Sequence, residues 1–266
     1  MFFHQAHNSI GEDVYNAFVY RGANYRTHVH KGFEFVYVLH GVLNATVDDE
    51  EYSLSPGEGL FLTPYRLHSY QSDETCVCFI VVFSGSFIEH FSRSVSQKTS
   101  LSSKVLLDGE TANYIGKHLI GNEQNPPTSI TVKKPDIFTL KACLYAVASA
   151  FEKQNEFKEK DGKDGVVFRI LMLIEKNYAT DLSLKGIAKE LGYDYQYLSR
   201  TFHTFFGVNF KSLVNQYRTE QAAYLIVSTD LTLSEIALSS GFQSIRTFNR
   251  VFKETTGSLP SELRKE

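Results

Sequence analysis

Tryptophan is absent from this 266-residue chain, methionine occurs twice, cysteine three times and proline six times. Three cysteines make neither a disulfide framework nor a metal knuckle. Cys76 and Cys78, two apart in a strand-like run, share one face and read as small core residues. No apolar run approaches the roughly 18 residues that a bilayer span needs, and no charged-then-apolar leader opens the chain, so a cytoplasmic location with no membrane partner is expected. Strong charge of either sign is missing too. With 27 Lys and Arg against 30 Asp and Glu, the net charge is −3. Residues 166–266 carry 12 basic and 10 acidic groups, whereas residues 1–165 carry 15 and 20. Any nucleic-acid contact must then come from a local basic face in the last hundred residues, by specific recognition more than bulk attraction.

What the chain has is a sentence said twice. Leu182/Leu231, Leu184/Leu233, Ile187/Ile236, Ala188/Ala237, Gly192/Gly241 and Tyr193/Phe242 coincide at an offset of 49. The register then slips by one, so that Leu198-Ser-Arg-Thr-Phe202 falls on Phe248-Asn-Arg-Val-Phe252 and Gly207 on Gly257. Such self-similarity marks a duplicated supersecondary unit. Leu184, Ile187, Ala188 and Leu191 form one helical stripe, which Gly192 ends as a left-handed cap. Asp194 starts a second helix with Leu198, Phe202 and Phe205 inward and Gln196, Ser199, Arg200 and His203 outward. Each unit is a helix-turn-helix, over about 183–206 and 232–255. In the second, Thr232 and Glu235 form a capping box, and Arg246, Asn249, Arg250 and Lys253 face out. Gly186 in the first copy loses half of that box. From Asn209 to Ser228 no Gly or Pro interrupts a helical pattern, and some 18 residues at 1.5 Å each span about 27 Å. That is near the ~34 Å between major-groove faces one DNA turn apart.

Gly192-Tyr-Asp-Tyr-Gln-Tyr-Leu-Ser-Arg-Thr-Phe202, Glu235-Ile-Ala, Gly241-Phe242, Phe248-Asn-Arg-Val-Phe-Lys253 and Gly257-x-x-Pro260 resemble the DNA-binding domain of the AraC family of bacterial transcription regulators. The resemblance covers about the last hundred residues, with Gly186 and Ser258-Leu259 as small departures. It implies that Gln196, Ser199 and Arg200 of the first recognition helix, and Arg246, Thr247, Asn249 and Arg250 of the second, face bases and phosphates of promoter DNA. A competing reading has Arg200 and Arg250 paired with acidic neighbours on the spacer helix.

Residues 14–85 read as β. Phe33, Phe35, Tyr37 and Leu39 alternate with Glu34, Val36, Val38 and His40, and strands follow at Leu43–Val47, Tyr52–Ser55, Gly59–Thr63 and Thr75–Ser84. Polar turns at Asp48-Asp-Glu-Glu51, Pro56-Gly57 and Pro64 separate them, as in a sandwich or small barrel. His28, His30 and Glu34 share parity, so one extended strand would turn them to one side, with His68 approaching from a neighbour. His-x-His-x-x-x-Glu followed by Pro64-x-x-x-His68 resembles the short motifs of the cupin barrel, whose three His and one Glu hold a divalent metal. Three readings of His28, His30, Glu34 and His68 stand side by side: a metal-free effector pocket of the kind AraC-type regulators carry, a divalent metal site with open positions, and purely structural histidines.

Past Ser86 the β pattern fades. Asn113–Ile120 is a short helix candidate, Asn125-Pro-Pro127 a break, and Pro135–Lys153 a helix whose Ile137, Leu140, Leu144, Val147 and Phe151 line one face. Phe138, Ala142 and Tyr145 form a second apolar flank suited to a homodimer contact. Charged, glycine-containing 157–165 reads as a linker. The expected organisation is α+β in two domains: a cupin-like antiparallel β-barrel with flanking helices over 1–156, and an all-α domain over 166–266. The family resemblance implies a ligand-responsive regulator, an activator of carbohydrate-related genes that works with RNA polymerase and is no enzyme. The alternative is a metal-dependent cupin enzyme fused to a DNA-binding domain.

Overall fold

The computed structural model describes residues 3–4, 14–121, 130–160 and 162–264. Two compact units emerge, one over Gly11–Lys160 and one containing Asp161–Glu266. The expected break at Asn125-Pro-Pro127 lies outside the described residues.

The two-residue β1 (Phe3–His4) falls in the unit that contains Asp161–Glu266. In the unit over Gly11–Lys160 the strands are β2 (Tyr15–Arg21), β3 (Asn24–Val29), β4 (Phe33–His40), β5 (Leu43–Val47), β6 (Glu50–Leu54), β7 (Glu58–Leu62), β8 (His68–Gln71) and β9 (Val77–Phe83). Three short strands follow: β10 (Lys98–Ser100), β11 (Lys104–Leu106) and β12 (Phe157–Glu159). One sheet carries β3, β8, β5 and β6 in that order, and a second carries β11, β7, β4, β9 and β2, antiparallel throughout. The β5–β6 hairpin turns on Asp48 and Asp49, both at positive φ (47° and 73°), as a two-residue loop matching strand twist requires.

Alternation along β4 decides the layers. Val36 and Val38 join Leu43, Ala45, Val47, Leu60, Tyr70, Cys78 and Ile80 in a core between the two sheets. Phe33 and Phe35 point the other way, into a core that also takes in Phe91 of α1 (Glu89–Ser94) and is closed by the helices α2 (Gly109–Leu119) and α3 (Ile137–Gln154). Asp136 caps α3 by accepting from the backbone of Phe138 and Thr139. Leu140, Leu144, Val147 and Phe151 are buried as the spacing predicts, while Ile137 is half-exposed. The cysteines are free and buried, Cys76 and Cys78 in the inter-sheet core and Cys143 on the buried face of α3. Burial pushes the Cys78 thiol up to about 12 and that of Cys143 to about 11, so neither is a nucleophile near neutrality.

The linker expected over 157–165 is structured at both ends. Phe157–Glu159 pairs with Lys98–Ser100, and the Phe157 ring lies 5.8 Å from Phe151 and 6.3 Å from Phe91. One aromatic residue with a core to enter outweighs the charged composition around it. The helix α4 (Gly162–Asn177) then begins, burying Val166, Val167, Ile170, Leu171 and Ile174.

The second unit continues with α5 (Leu184–Leu191), α6 (Tyr195–Phe206), α7 (Phe210–Ser228), α8 (Leu233–Ser239), α9 (Ile245–Thr256) and α10 (Pro260–Leu263). Its sequence offset is structural. The first helices of the two copies are 49 apart, whereas α6 and α9 are 50 apart, because the second turn holds one more residue before its cap. Asp194 caps α6 and Ser244 caps α9. Gly192 and Gly241 both take left-handed φ, 72° and 86°. Thr232 and Glu235 form the reciprocal box at α8, whereas Ser183 alone caps α5. In α6 the inward aromatic after Phe202 is Phe206, and Phe205 is only half-buried. Steps of four from Leu198 through Phe202 lead to Phe206, and the expected Phe205 falls off that stripe. The spacer α7 has 19 residues, about 28 Å of helix. Its Arg218 donates to the carbonyls of Tyr178 and Thr180 at 2.7 and 2.9 Å, fastening it to the loop after α4.

Candidate sensing and nucleic-acid sites

His28 lies near the end of β3, His30 just beyond it, Glu34 early in β4, and His68 opens β8. They do not share a strand. The chain bends at Lys31 and Gly32, which puts β3 and β4 in different sheets, so Glu34 meets the histidines across the sheet interface. The parity expected of a single strand is replaced by convergence from two sheets. His28 and His68 are cross-strand partners with ring centroids 4.0 Å apart.

All four side chains are at most 3% exposed, and one ligand atom from each lies within 4.8 Å of every other. Each imidazole is oriented by its Nδ1, which lies 2.8 Å from the Arg26 carbonyl in His28, 3.1 Å from that of Gly32 in His30 and 2.8 Å from that of Arg66 in His68. A carbonyl only accepts, so each Nδ1 donates to it. His30 Nε2 is 2.8 Å from Glu34 Oε2, and His68 Nε2 is 3.5 Å from the same oxygen without a hydrogen bond. The other carboxylate oxygen accepts from the Tyr70 hydroxyl at 2.6 Å.

Burial, then the neighbouring His68, pushes His28 down to about 3, so its ring is neutral. Burial would raise Glu34, but His68 and the hydrogen bond with His30 hold its carboxyl well below the usual range. An unpartnered buried nitrogen such as His68 Nε2 costs about 1–3 kcal/mol. Three imidazoles and a carboxylate are borderline donors that fit a divalent first-row ion.

Tyr70 was not among the residues singled out in the sequence, although His68-x-Tyr70 puts both on one face of β8. Tyr25 extends the aromatic wall, 6.1 Å from His28, 5.0 Å from Tyr20 and 6.3 Å from Tyr70 between ring centroids.

In the helical unit, Gln196 and Arg200 on α6 and Arg246, Thr247, Asn249 and Arg250 on α9 are exposed, and Ser199 is half-buried. Thr247 also serves the cap: its backbone donates to Ser244 Oγ and its hydroxyl accepts from it. No ion pair engages Arg200 among the described residues, whereas Arg250 pairs with Glu254 of its own helix rather than with the spacer. Two further positions stand out. Tyr195 and Ile245 open the two recognition helices at equivalent places and are 44% and 42% exposed, apolar surface where solvent alone would favour polar groups. Exposure of this kind has no periodic signal in sequence.

A sheet domain with a buried polar centre and a helical domain with two helix-turn-helix units define a ligand-binding, DNA-binding regulator. Profiles of known families agree: the AraC-like ligand binding domain matches residues 17–120 and a helix-turn-helix domain matches residues 174–266. The chain belongs to the AraC family of transcription regulators. It is 24% identical over 251 residues to the Msm operon regulatory protein of Streptococcus mutans, across 92% of this chain and 88% of that one. To the uncharacterized HTH-type transcriptional regulator YisR of Bacillus subtilis it is 23% identical over 267 residues, across 96% and 92%. In fold it is similar to ToxT from Vibrio cholerae, with a TM-score of 0.54 at 17% identity over 96% of this chain and 98% of that one. No helix among the described residues is long and apolar enough to cross a membrane.

Proposed function

We propose that the chain is a one-component switch in which a small molecule, a carbohydrate, is sensed at the centre built on His28, His30, Glu34 and His68. The response is relayed to two recognition helices seated in successive major grooves of promoter DNA. The observation that carries this reading is the duplicated unit itself: α6 and α9 each present exposed polar and basic side chains and are joined by 19 residues of uninterrupted helix. Arg200 and Arg250 read bases, since a guanidinium can hold guanine O6 and N7 together. Gln196, Ser199, Arg246, Thr247 and Asn249 flank them as base and phosphate contacts. The mixture of tyrosine rings and imidazoles around His28 supports a sugar, which takes an aromatic face and fixed hydrogen-bonding groups together. The switch acts as a homodimer that activates transcription through RNA polymerase, and its thermodynamic content is a difference in effector affinity between two arrangements.

Two measurements test this. Genomic fragments selected by the purified chain are titrated with wild type and with Arg200→Ala and Arg250→Ala. Each variant is expected to bind about 10–100-fold more weakly with unchanged thermal stability, and loss of fold in both would make the arginines structural. Thermal scans against a panel of sugars and organic acids then identify the effector class. A ligand at 100 times its dissociation constant adds about 2.7 kcal/mol, and a panel in which no sugar moves the midpoint overturns the carbohydrate assignment.

A further inference from the structure

We propose that Tyr195 and Ile245 read thymine. Each lays its apolar side chain against the 5-methyl group of one thymine in the major groove, so the two half-sites of the target carry a thymine at equivalent places, roughly 10 base pairs apart. This rests on the reading of α6 and α9 as recognition helices, and adds the base chemistry that their leading ends select.

Both residues occupy the leading end of their helix. Asp194 caps α6 and Ser244 caps α9, which makes Tyr195 and Ile245 the first helical residue of each. Cα–Cβ bonds tilt towards the N-terminus of a helix, so side chains of the first turn project ahead of its end. In a helix-turn-helix, the N-terminal residues of the second helix are the ones that meet base edges.

Tyr195 is the one exposed large apolar residue of α6, and Ile245 is the one of α9. They stand seven positions before Phe202 and Phe252, in phase with the buried stripe of each helix. Yet more than two fifths of each stays open to solvent, 44% and 42%. Tyr195 is also left out of the aromatic pair that Tyr193 and Tyr197 form around it, with ring centroids 5.7 Å apart. A side chain held on one flank and open on the other is partly ordered before it binds, which lowers the entropy that binding must remove.

The neighbouring Gln196 and Arg246 are exposed too, and supply hydrogen-bonding groups for base edges. Tyr195 and Ile245 differ in everything except being apolar, so what the two places share is an apolar surface and not a hydrogen bond. The thymine methyl is the apolar mark in the major-groove pattern, and covering it removes water from both partners.

The test uses the full-length chain and a duplex that it selects from genomic fragments. Each thymine of the selected site is replaced in turn by deoxyuridine, which keeps every hydrogen bond and removes only the methyl, and affinity is read by fluorescence anisotropy. Wild type is expected to weaken about three- to sixfold at one thymine in each half-site. Tyr195→Ala is expected to bind the thymine and deoxyuridine forms of one half-site equally, and Ile245→Ala those of the other, each keeping the response of the half-site it does not touch. Tyr195→Phe retains the ring and is expected to retain the response; a response lost in this variant would assign it to the hydroxyl and overturn the apolar contact. The deoxyuridine series on wild type needs no altered protein, so it decides even where an alanine variant fails to fold. No loss at any deoxyuridine, or full responses in both alanine variants, overturns the proposal and leaves DNA recognition standing. A chain that selects no sequence, or a selected duplex bound as tightly by Arg200→Ala and Arg250→Ala as by wild type, refutes the recognition-helix reading and this proposal with it.

Discussion

Arg250 holds both carboxylate oxygens of Glu254 at 2.8 Å through a single guanidinium nitrogen, one turn along the exposed face of α9. The corresponding residue of the first copy, Arg200, has no such acidic neighbour: one turn on stands Thr204. The two recognition helices therefore differ in how much positive charge they offer to a phosphate or a base. Exposed pairs of this kind contribute roughly 0–1 kcal/mol, so the pairing is weak enough for DNA to displace. Glu254→Gln is expected to tighten binding about two- to fivefold and to steepen its salt dependence, as one more cation becomes available to the duplex. Fluorescence anisotropy across a salt series reads both quantities. An unchanged slope would mean that freeing Arg250 from Glu254 adds no contact to a phosphate.

The two turn glycines make a second contrast. Both have left-handed φ, but a Cβ on Gly241 would stand 2.5 Å from Ala179 Cα, whereas one on Gly192 would meet nothing within 4 Å. Gly192→Ala then carries only the backbone penalty, about 1 kcal/mol, and Gly241→Ala adds a backbone collision that is expected to take the loss beyond about 3 kcal/mol. Thermal or urea unfolding separates them. Equal losses would show that the loop carrying Ala179 gives way at little cost.

These contrasts bear on what a sequence discloses. The helical unit is legible because its signals are local: caps at Asp194 and Thr232, glycines at the turns, stripes at helical spacing, and an offset that grows from 49 to 50 where one residue is inserted before Ser244. Even there the helical spacing predicts Phe205 on the inward stripe, where the helix buries Phe206. The sensing centre is legible in composition but not in geometry. Its four residues converge, yet because β3 and β4 part at Lys31 and Gly32, not because they share a strand. Tyr70 shares a face with His68 and was open to the same argument. The strands β10 and β12 were not legible, since three polar residues acquire strand character only from a partner some sixty positions away. Phe157 is the exception in that segment, a lone aromatic whose core lies elsewhere in the chain.

An apolar face waits on α3. Phe138 is 81% exposed, with Ile137 at 47% and Tyr145 at 39% on the same helix. A contiguous exposed apolar surface of this kind fits the homodimer proposed above. Phe138→Asp is expected to convert a dimer into a monomer in sedimentation velocity, with the dissociation constant raised at least about tenfold and the unfolding midpoint of the monomer unchanged. A sedimentation profile identical to wild type would place the dimer contact on another surface.

Lys160 closes the first unit, its backbone N–H donating to the Gln97 carbonyl at 2.7 Å beside β12. Burial, reinforced by the charge of Arg66 and opposed by Asp48, pulls its ammonium from an ordinary 10.5 down to about 8. The folded chain therefore releases this proton near pH 8 and the unfolded chain near 10.5. Between these values the unfolded state binds the extra proton, so this residue's contribution to stability rises with pH across that window and is least favourable below it. Lys160→Met keeps the aliphatic stem and removes the charge. It is expected to raise stability at pH 7 by about 1–3 kcal/mol, solvent screening included, with the gain shrinking as the pH is raised from 8 towards 10. Denaturant titrations at those pH values measure it. A gain of the same size at every pH would trace to packing of the methionine, and a loss at pH 7 would mean that the ammonium's own contacts outweigh the cost of burying it.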